Sequence, residues 1–218
     1  MNKMLFNRQY GLDKAVINGT KNMTRRDEKA VRKTISQYCE KYGEFLFPKE
    51  SQYFDSGYNR LVIRATKEPV YIKTRYVPGE IVAVAQRYGD DDVCNYLAPT
   101  NTEKDAYTIG ALMHSKGWDN SMFVKAKLMP HRIKITDVRL ERLQDISDED
   151  CMSEGIQKKS NFPRKKSLPF YFKGGKHEWD NSFRTPRKAF AALIDKVSGK
   201  GTWISNPYVV VYSFELIK

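Results

Sequence analysis

The chain has 218 residues, of which 40% are hydrophobic and 12% aromatic. That is enough to bury a core in one enlarged domain or two small ones, and it excludes a disordered chain. A formal charge of +12 points to a polyanionic partner, nucleic acid first and an anionic membrane second. Cys39, Cys94 and Cys151 are odd in number, widely spaced and without a CxxC pair, and His114, His131 and His177 fall at no ligand spacing with them. Neither a disulfide framework nor a metal site is expected, and no cofactor is implied.

The first helical pattern runs from Gln9 to Ile17, with Leu12 and Val16 facing inward and Asn18-Gly19 as its cap. A second is expected from about Glu28 to Tyr42, where Val31, Ile35, Tyr38 and Tyr42 share one face and Gly43 ends the run. Short strands follow at 61–64 and 69–73, then a turn at 77–80 and a buried strand at 81–88. Residues 89–120 read as an excursion with little regular structure, with a candidate short helix at 109–114. Alternation predicts strands at 123–127 and 132–143, the longer one with a bulge near Thr136-Asp137. Ser147 is placed to cap a short helix ending at Glu154, with Asp150 in the capping-box position and Gly155 closing it. Thr185-Pro186 opens a helix with Phe190, Leu193, Ile194 and Val197 on one face, and 207–217 is an apolar closing strand. Many short strands with few helices predict an α+β chain built on a small closed or nearly closed β-barrel. No segment resembles a signal peptide, and no apolar run approaches the roughly 20 residues of a bilayer span. The expectation is a cytoplasmic protein with no membrane partner.

Three groups of residues carry candidate chemistry. In NGTKNMTRR, residues 18–26, Lys21 and Thr24 stand three apart behind a turn. A desolvated lysine can take the proton of a threonine hydroxyl and make it a nucleophile; the alternative is a Lys21 that faces water and a Thr24 that is simply a strand residue. Arg25 and Arg26 add two phosphate-seeking groups beside them. Glu154 lies at the C-terminal end of its short helix, where the helix dipole disfavours negative charge: either a local rule broken for function or an exposed glutamate near a frayed helix end. The segment 157–176 holds Lys158, Lys159, Arg164, Lys165, Lys166, Lys173 and Lys176 with no acid, interleaved with Phe162, Phe170, Tyr171 and Phe172. Such a mixture suits single-stranded nucleic acid, or equally a solvated loop whose aromatics cover the core. Trp203 reads as a core or barrel-rim aromatic.

Several of these pieces resemble one family. Gly19-Thr-Lys-Asn-Met-Thr-Arg-Arg is similar to the GxKxxTxR signature of ASCH domains, whose fold is a PUA-like barrel. Pro78-Gly-Glu-Ile-Val-Ala-Val resembles the strand that follows it. The run from Arg132 to Ile156 resembles a segment of phage and prophage ASCH-like proteins, and Gly201 to Phe214 resembles their closing strand. The resemblance implies a single ASCH/PUA-like domain over 1–218, with insertions at 29–71, 89–120 and 157–184. It implies RNA or a modified nucleoside as partner. Some small bacterial members are amidohydrolases that deacetylate N4-acetylcytidine with a lysine, a threonine and a glutamate. By motif position these fall on Lys21, Thr24 and Glu154, while Lys21, Arg25 and Arg26 would equally make an anion-binding loop without chemistry.

Overall fold

The spine of the protein is a pair of long antiparallel strands. In this computed structural model, which describes residues 1–100, 102–159, 169–174 and 180–217, β7 (Arg132–Arg142) and β11 (Tyr208–Ile217) pair along almost their whole lengths. Chain order then supplies the other elements of the same sheet: β1 (Lys3–Met4), β2 (Met23–Arg26) and β6 (Ile81–Val84). The order is β1-β6-β7-β11-β2, antiparallel except for the parallel pair β1–β6. The apolar alternation of β7 buries Ile133, Ile135, Val138 and Leu140. It slips once, where Ser213 faces Asp137 and Phe214 faces Ile135, leaving Thr136 as the extra residue of the expected bulge.

Between β2 and β6 the chain forms α2 (Lys29–Tyr42) and a three-stranded antiparallel meander, β3 (Gln52–Asp55), β4 (Arg60–Arg64) and β5 (Pro69–Ile72). This expected insertion shares the main core: Val31, Ile35, Tyr38, Leu61, Ile63, Val70 and Ile72 belong to one cluster with the apolar faces of β7 and β11. The Gln52 side chain joins the two sheets. Its Oε1 accepts from Leu140 N at 2.7 Å and its Nε2 donates to Leu140 O at 3.0 Å, replacing a strand where β6 has ended. The five-stranded sheet keeps two edges, β1 and β2, so its strands do not close into a hydrogen-bonded barrel among the described residues. The architecture is α+β.

Residues 89–120 are more helical than expected. They hold α3 (Asp91–Leu97) and α4 (Glu103–Met113), the latter capped by Thr102 and Asp105 in a reciprocal capping box. Neither helix has a long apolar stripe; the short helix expected at 109–114 is the C-terminal part of α4, and α3 was not expected. A second, smaller core of Ala83, Ala85, Tyr88, Val93, Val124 and Met129 lies against this region. The strand expected at 123–127 is instead two 3-10 turns, Ser121–Phe123 and Ala126–Leu128, because its alternating residues anchor a loop and pair with no neighbour.

The remaining elements frame the site. The N-terminal helix α1 (Leu12–Ile17) and α5 (Asp148–Ser153) flank β2, and a small sheet pairs β8 (Gln157–Lys158), β9 (Phe170–Tyr171) and β10 (Ser182–Phe183). Then α6 (Pro186–Ser198) and α7 (Thr202–Ser205) lead into β11. Phe190 and Leu193 of α6 are buried as expected, whereas Val197 is 39% exposed. Trp203 packs edge-on to Phe190, with centroids 6.2 Å apart, at the rim of the core. No helix among the described residues is long and apolar enough to cross a membrane.

Candidate functional site

The turn after α1 delivers its basic residues into the interior. Asn18 caps the helix, Gly19 adopts φ +72, and Lys21 N bonds Ala15 O at 3.0 Å, which folds the chain back toward β2. Lys21 is thereby 2% exposed. Its ammonium has three donors, and all are used: Met23 O at 2.7 Å, Glu154 O at 2.8 Å and Glu154 Oε2 at 2.6 Å.

Glu154 is the C-cap of α5, and Ser147 caps the other end by accepting from Asp150 N at 3.0 Å. The side chain of Asp150 does not complete the capping box; it reaches Arg25 instead. Gly155 follows at φ +102, where a Cβ would come within 3.3 Å of Leu12. A glycine is required there to release the chain from the helix end. The unfavourable dipole at Glu154 is answered by Lys21, which binds both the carboxylate and the terminal carbonyl. Burial lowers the Lys21 pKa, and Glu154 opposes that effect.

Arg25 makes a second knot beside the first. Its guanidinium, fully buried, reaches Asp150 Oδ2 at 2.6 Å, Glu141 Oε2 at 2.9 Å and Glu154 Oε1 at 3.3 Å. Burial works against its charge, but the three carboxylates outweigh burial and raise its pKa. Arg139 closes the cluster on Glu141 Oε1 at 2.8 Å and Asp150 Oδ2 at 3.2 Å. Lys21, Arg25 and Arg139 thus meet Glu141, Asp150 and Glu154 in the interior, and Arg139 also reaches the more exposed Asp137 at 3.1 Å. Arg25, expected as a phosphate-seeking group, is directed in this structure at three internal carboxylates.

Arg26 stands outside that cluster. Its NH2 group donates to Leu5 O at 2.6 Å, and its Nε, like that of Arg25, is buried without a hydrogen-bond partner. No ion pair compensates it among the described residues. Its guanidinium lies 5.8 Å from the Phe6 ring centroid, and the Lys21 ammonium lies 5.9 Å from the same centroid.

These residues line one cavity of about 340 Å³. Lys21, Thr24, Arg25, Arg26 and Glu154 form its polar side, and Phe6, Leu193 and Ile194 contribute to its apolar wall. Thr24 is buried in it and its hydroxyl has no protein partner among the described residues. The structure therefore brings Lys21, Thr24 and Glu154 together, with Lys21 bonded to Glu154 and not to Thr24.

The basic segment after Glu154 does not join the cavity where it is described. Lys158 lines a separate surface depression, its ammonium 5.9 Å from the Phe170 ring, and Lys159 N bonds Pro169 O. Phe172 is a core residue stacked on Phe183, so its ring offers no face to a base. Arg164, Lys165, Lys166 and Phe162 lie outside the described residues. Sequence reasoning passed over Phe6, Arg139 and Glu141. A signal for the last two did exist: Arg139 and Glu141 share one face of β7 at i, i+2, two opposite charges on one strand. No group of three or more His, Cys, Asp or Glu side chains among the described residues is placed to hold a metal ion.

Comparison with known proteins finds no matching family model, no matching curated protein and no matching solved structure.

Proposed function

We propose that the chain is a single ASCH-type, PUA-like domain, its two packed sheets standing for the barrel, and that the cavity beside β2 takes the base of a nucleoside or of an unpaired RNA residue. The observation that carries this reading is the pairing of an apolar wall with one uncompensated guanidinium. Phe6, Leu193 and Ile194 offer a face for a heterocycle, while the guanidinium of Arg26 lines the same cavity without an ion pair among the described residues. A phosphate or base carbonyl would satisfy it with a charge-assisted hydrogen bond. The unpartnered hydroxyl of Thr24 supplies a further contact to a base edge.

Calorimetric titration with cytidine 5′-monophosphate tests it. Binding should be weakened about tenfold or more in Arg26→Met, since a hydrogen bond to a charged group contributes roughly 1.5–3 kcal/mol. Equal affinity in the variant, or no binding by the folded wild-type chain, refutes the reading.

A second reading is favoured by a specific juxtaposition: Thr24, Lys21 and Glu154 share the cavity, and burial depresses the lysine. In this reading Lys21 gives a proton to Glu154 and the neutral amine then takes the proton of Thr24. The threonine oxygen attacks the acyl carbon of an N4-acylated cytosine, and the exocyclic amine leaves after protonation. Water then releases the acid from the threonine ester. Release of acetate from N4-acetylcytidine, abolished in both Lys21→Ala and Thr24→Ala, would establish it. No release by the wild-type protein rejects it and leaves the cavity as a binding site.

A further inference from the structure

The outer face of the meander carries a feature that the cavity does not use. Tyr53 of β3 faces Val62 of β4, which faces Tyr71 of β5, so the three form one row across the sheet. Tyr53 is 50% exposed and Tyr71 51%, while Val62 between them is almost fully covered. The rings stand two strand spacings apart, about 10 Å, too far to stack on each other. Each is half-exposed, so each would meet a separate base.

Cations border this row. Arg60 lies over Tyr71, its guanidinium carbon 4.1 Å from the ring centroid, and over Tyr58 at 4.5 Å. Arg64 lies 5.7 Å from the Tyr53 centroid. Arg60, Val62 and Arg64 alternate along β4, and Lys73 follows Tyr71 with the same parity. The acid on this face, Asp55, is held by Arg60 at 3.3 Å, whereas Arg64 and Lys73 form no ion pair among the described residues. Half-exposed aromatics bordered by cations without carboxylate partners match a chain of unpaired bases joined by phosphates.

The cationic surface continues. Lys73 also lines an open groove of about 590 Å³ with Lys29, Arg75 and Arg26. The two acids of that groove are engaged: Asp27 pairs with Arg32 at 2.9 Å, and Glu28 accepts from Tyr212 at 2.5 Å. Through Lys73 the groove adjoins the tyrosine face, and through Arg26 it adjoins the cavity.

We propose that the outer face of β3–β4–β5 is a stacking platform for single-stranded nucleic acid, with Tyr53 and Tyr71 carrying bases and Arg64 and Lys73 holding phosphates. The platform stands on its own residues and does not depend on what the cavity binds.

The test is fluorescence anisotropy of the full chain with a fluorescein-labelled oligouridine of about twelve nucleotides, within the range of one platform's site size. Tyr53→Ala/Tyr71→Ala should bind at least about tenfold more weakly, since each stacked base contributes that order. Tyr53→Phe/Tyr71→Phe keeps the rings and should bind within about twofold of wild type, which separates stacking from folding. Arg64→Ala/Lys73→Ala should reduce the slope of log affinity against log salt by about 1.4, at about 0.7 for each phosphate no longer neutralised. The same titration with oligothymidine distinguishes the sources. Equal tyrosine dependence assigns the face to either strand, and dependence for uridine alone assigns it to RNA. Unchanged affinity in the double alanine variant, equal competition by duplex, or no binding of either oligonucleotide overturns the proposal. Tyrosine-dependent oligonucleotide binding without cytidine monophosphate binding would remove the cavity reading and leave this one standing.

Discussion

Replacing Arg25 by methionine should be among the most damaging single changes in the molecule. The substitution keeps length and apolar volume but removes the cation that meets Glu141 of β7, Asp150 of α5 and Glu154 at the end of α5. Taking one partner from a buried ion pair costs about 3–5 kcal/mol, because the other charge stays buried and unmatched. Here the loss is softened, since Arg139 still contacts Glu141 and Asp150, and Lys21 still holds Glu154. The low end, about 3 kcal/mol, is therefore expected. For a chain of this size that corresponds to a Tm lowered by roughly 6–12 °C. Guanidinium denaturation and a thermal melt, each followed by circular dichroism, measure it. Arg139→Met serves as the comparison: its side chain is 27% exposed, water can screen the carboxylates it leaves, and about 1 kcal/mol is expected. Adding Asp150→Asn to Arg25→Met should recover part of the loss by removing one stranded charge. An Arg25→Met protein as stable as wild type, or one no less stable than Arg139→Met, would refute the view that this guanidinium neutralises a buried cluster.

Gln52→Ala should cost about 2 kcal/mol, because both backbone groups of Leu140 lose the partners they have at 2.7 and 3.0 Å. Hydrogen exchange at the Leu140 amide is the direct readout, and unchanged protection there would deny the side chain its bridging role. Cys151 gives a pH signature. Burial pushes its thiol up to about 12, against about 8.5 in an unfolded chain. The folded state then holds the proton that the unfolded state releases, so this contribution is intact below pH 8.5 and is lost as pH rises toward 12. Wild type should lose up to about 1.4 kcal/mol more per pH unit in that window than Cys151→Ala. Parallel profiles for the two proteins would contradict the assignment.

The long elements of the fold were legible because their signals are local. The apolar face of α2, the alternation and bulge of β7, the Ser147 cap and the Thr185-Pro186 start all appear where the pattern placed them. What was not legible depends on partners far along the chain. Residues 123–127 alternate like a strand, yet no neighbour offers them a ladder, and α4 is set by its capping box with no residue buried. The sheet edges could not be read either. Gln52 finishes the join between meander and main sheet with a side chain, 88 residues from the backbone it binds, and nothing in a hydrophobic pattern encodes that.

The same division explains the site. Lys21, Thr24 and Glu154 were marked by spacing, by motif resemblance and by one broken dipole rule, and the structure brings them to one cavity. Their electrostatic roles were not marked, because a positive run of Lys21, Arg25 and Arg26 looks uniform until its partners are known. Folding separates the three. Lys21 is saturated by three acceptors, Arg25 is enclosed by three carboxylates, and Arg26 is left with one carbonyl and no ion pair among the described residues. A hydrogen bond to a charged group contributes roughly 1.5–3 kcal/mol. Arg26 lines the cavity beside an apolar wall and has no ion pair among the described residues, so Arg26, rather than the more deeply buried pair before it, is where ligand binding should be felt first.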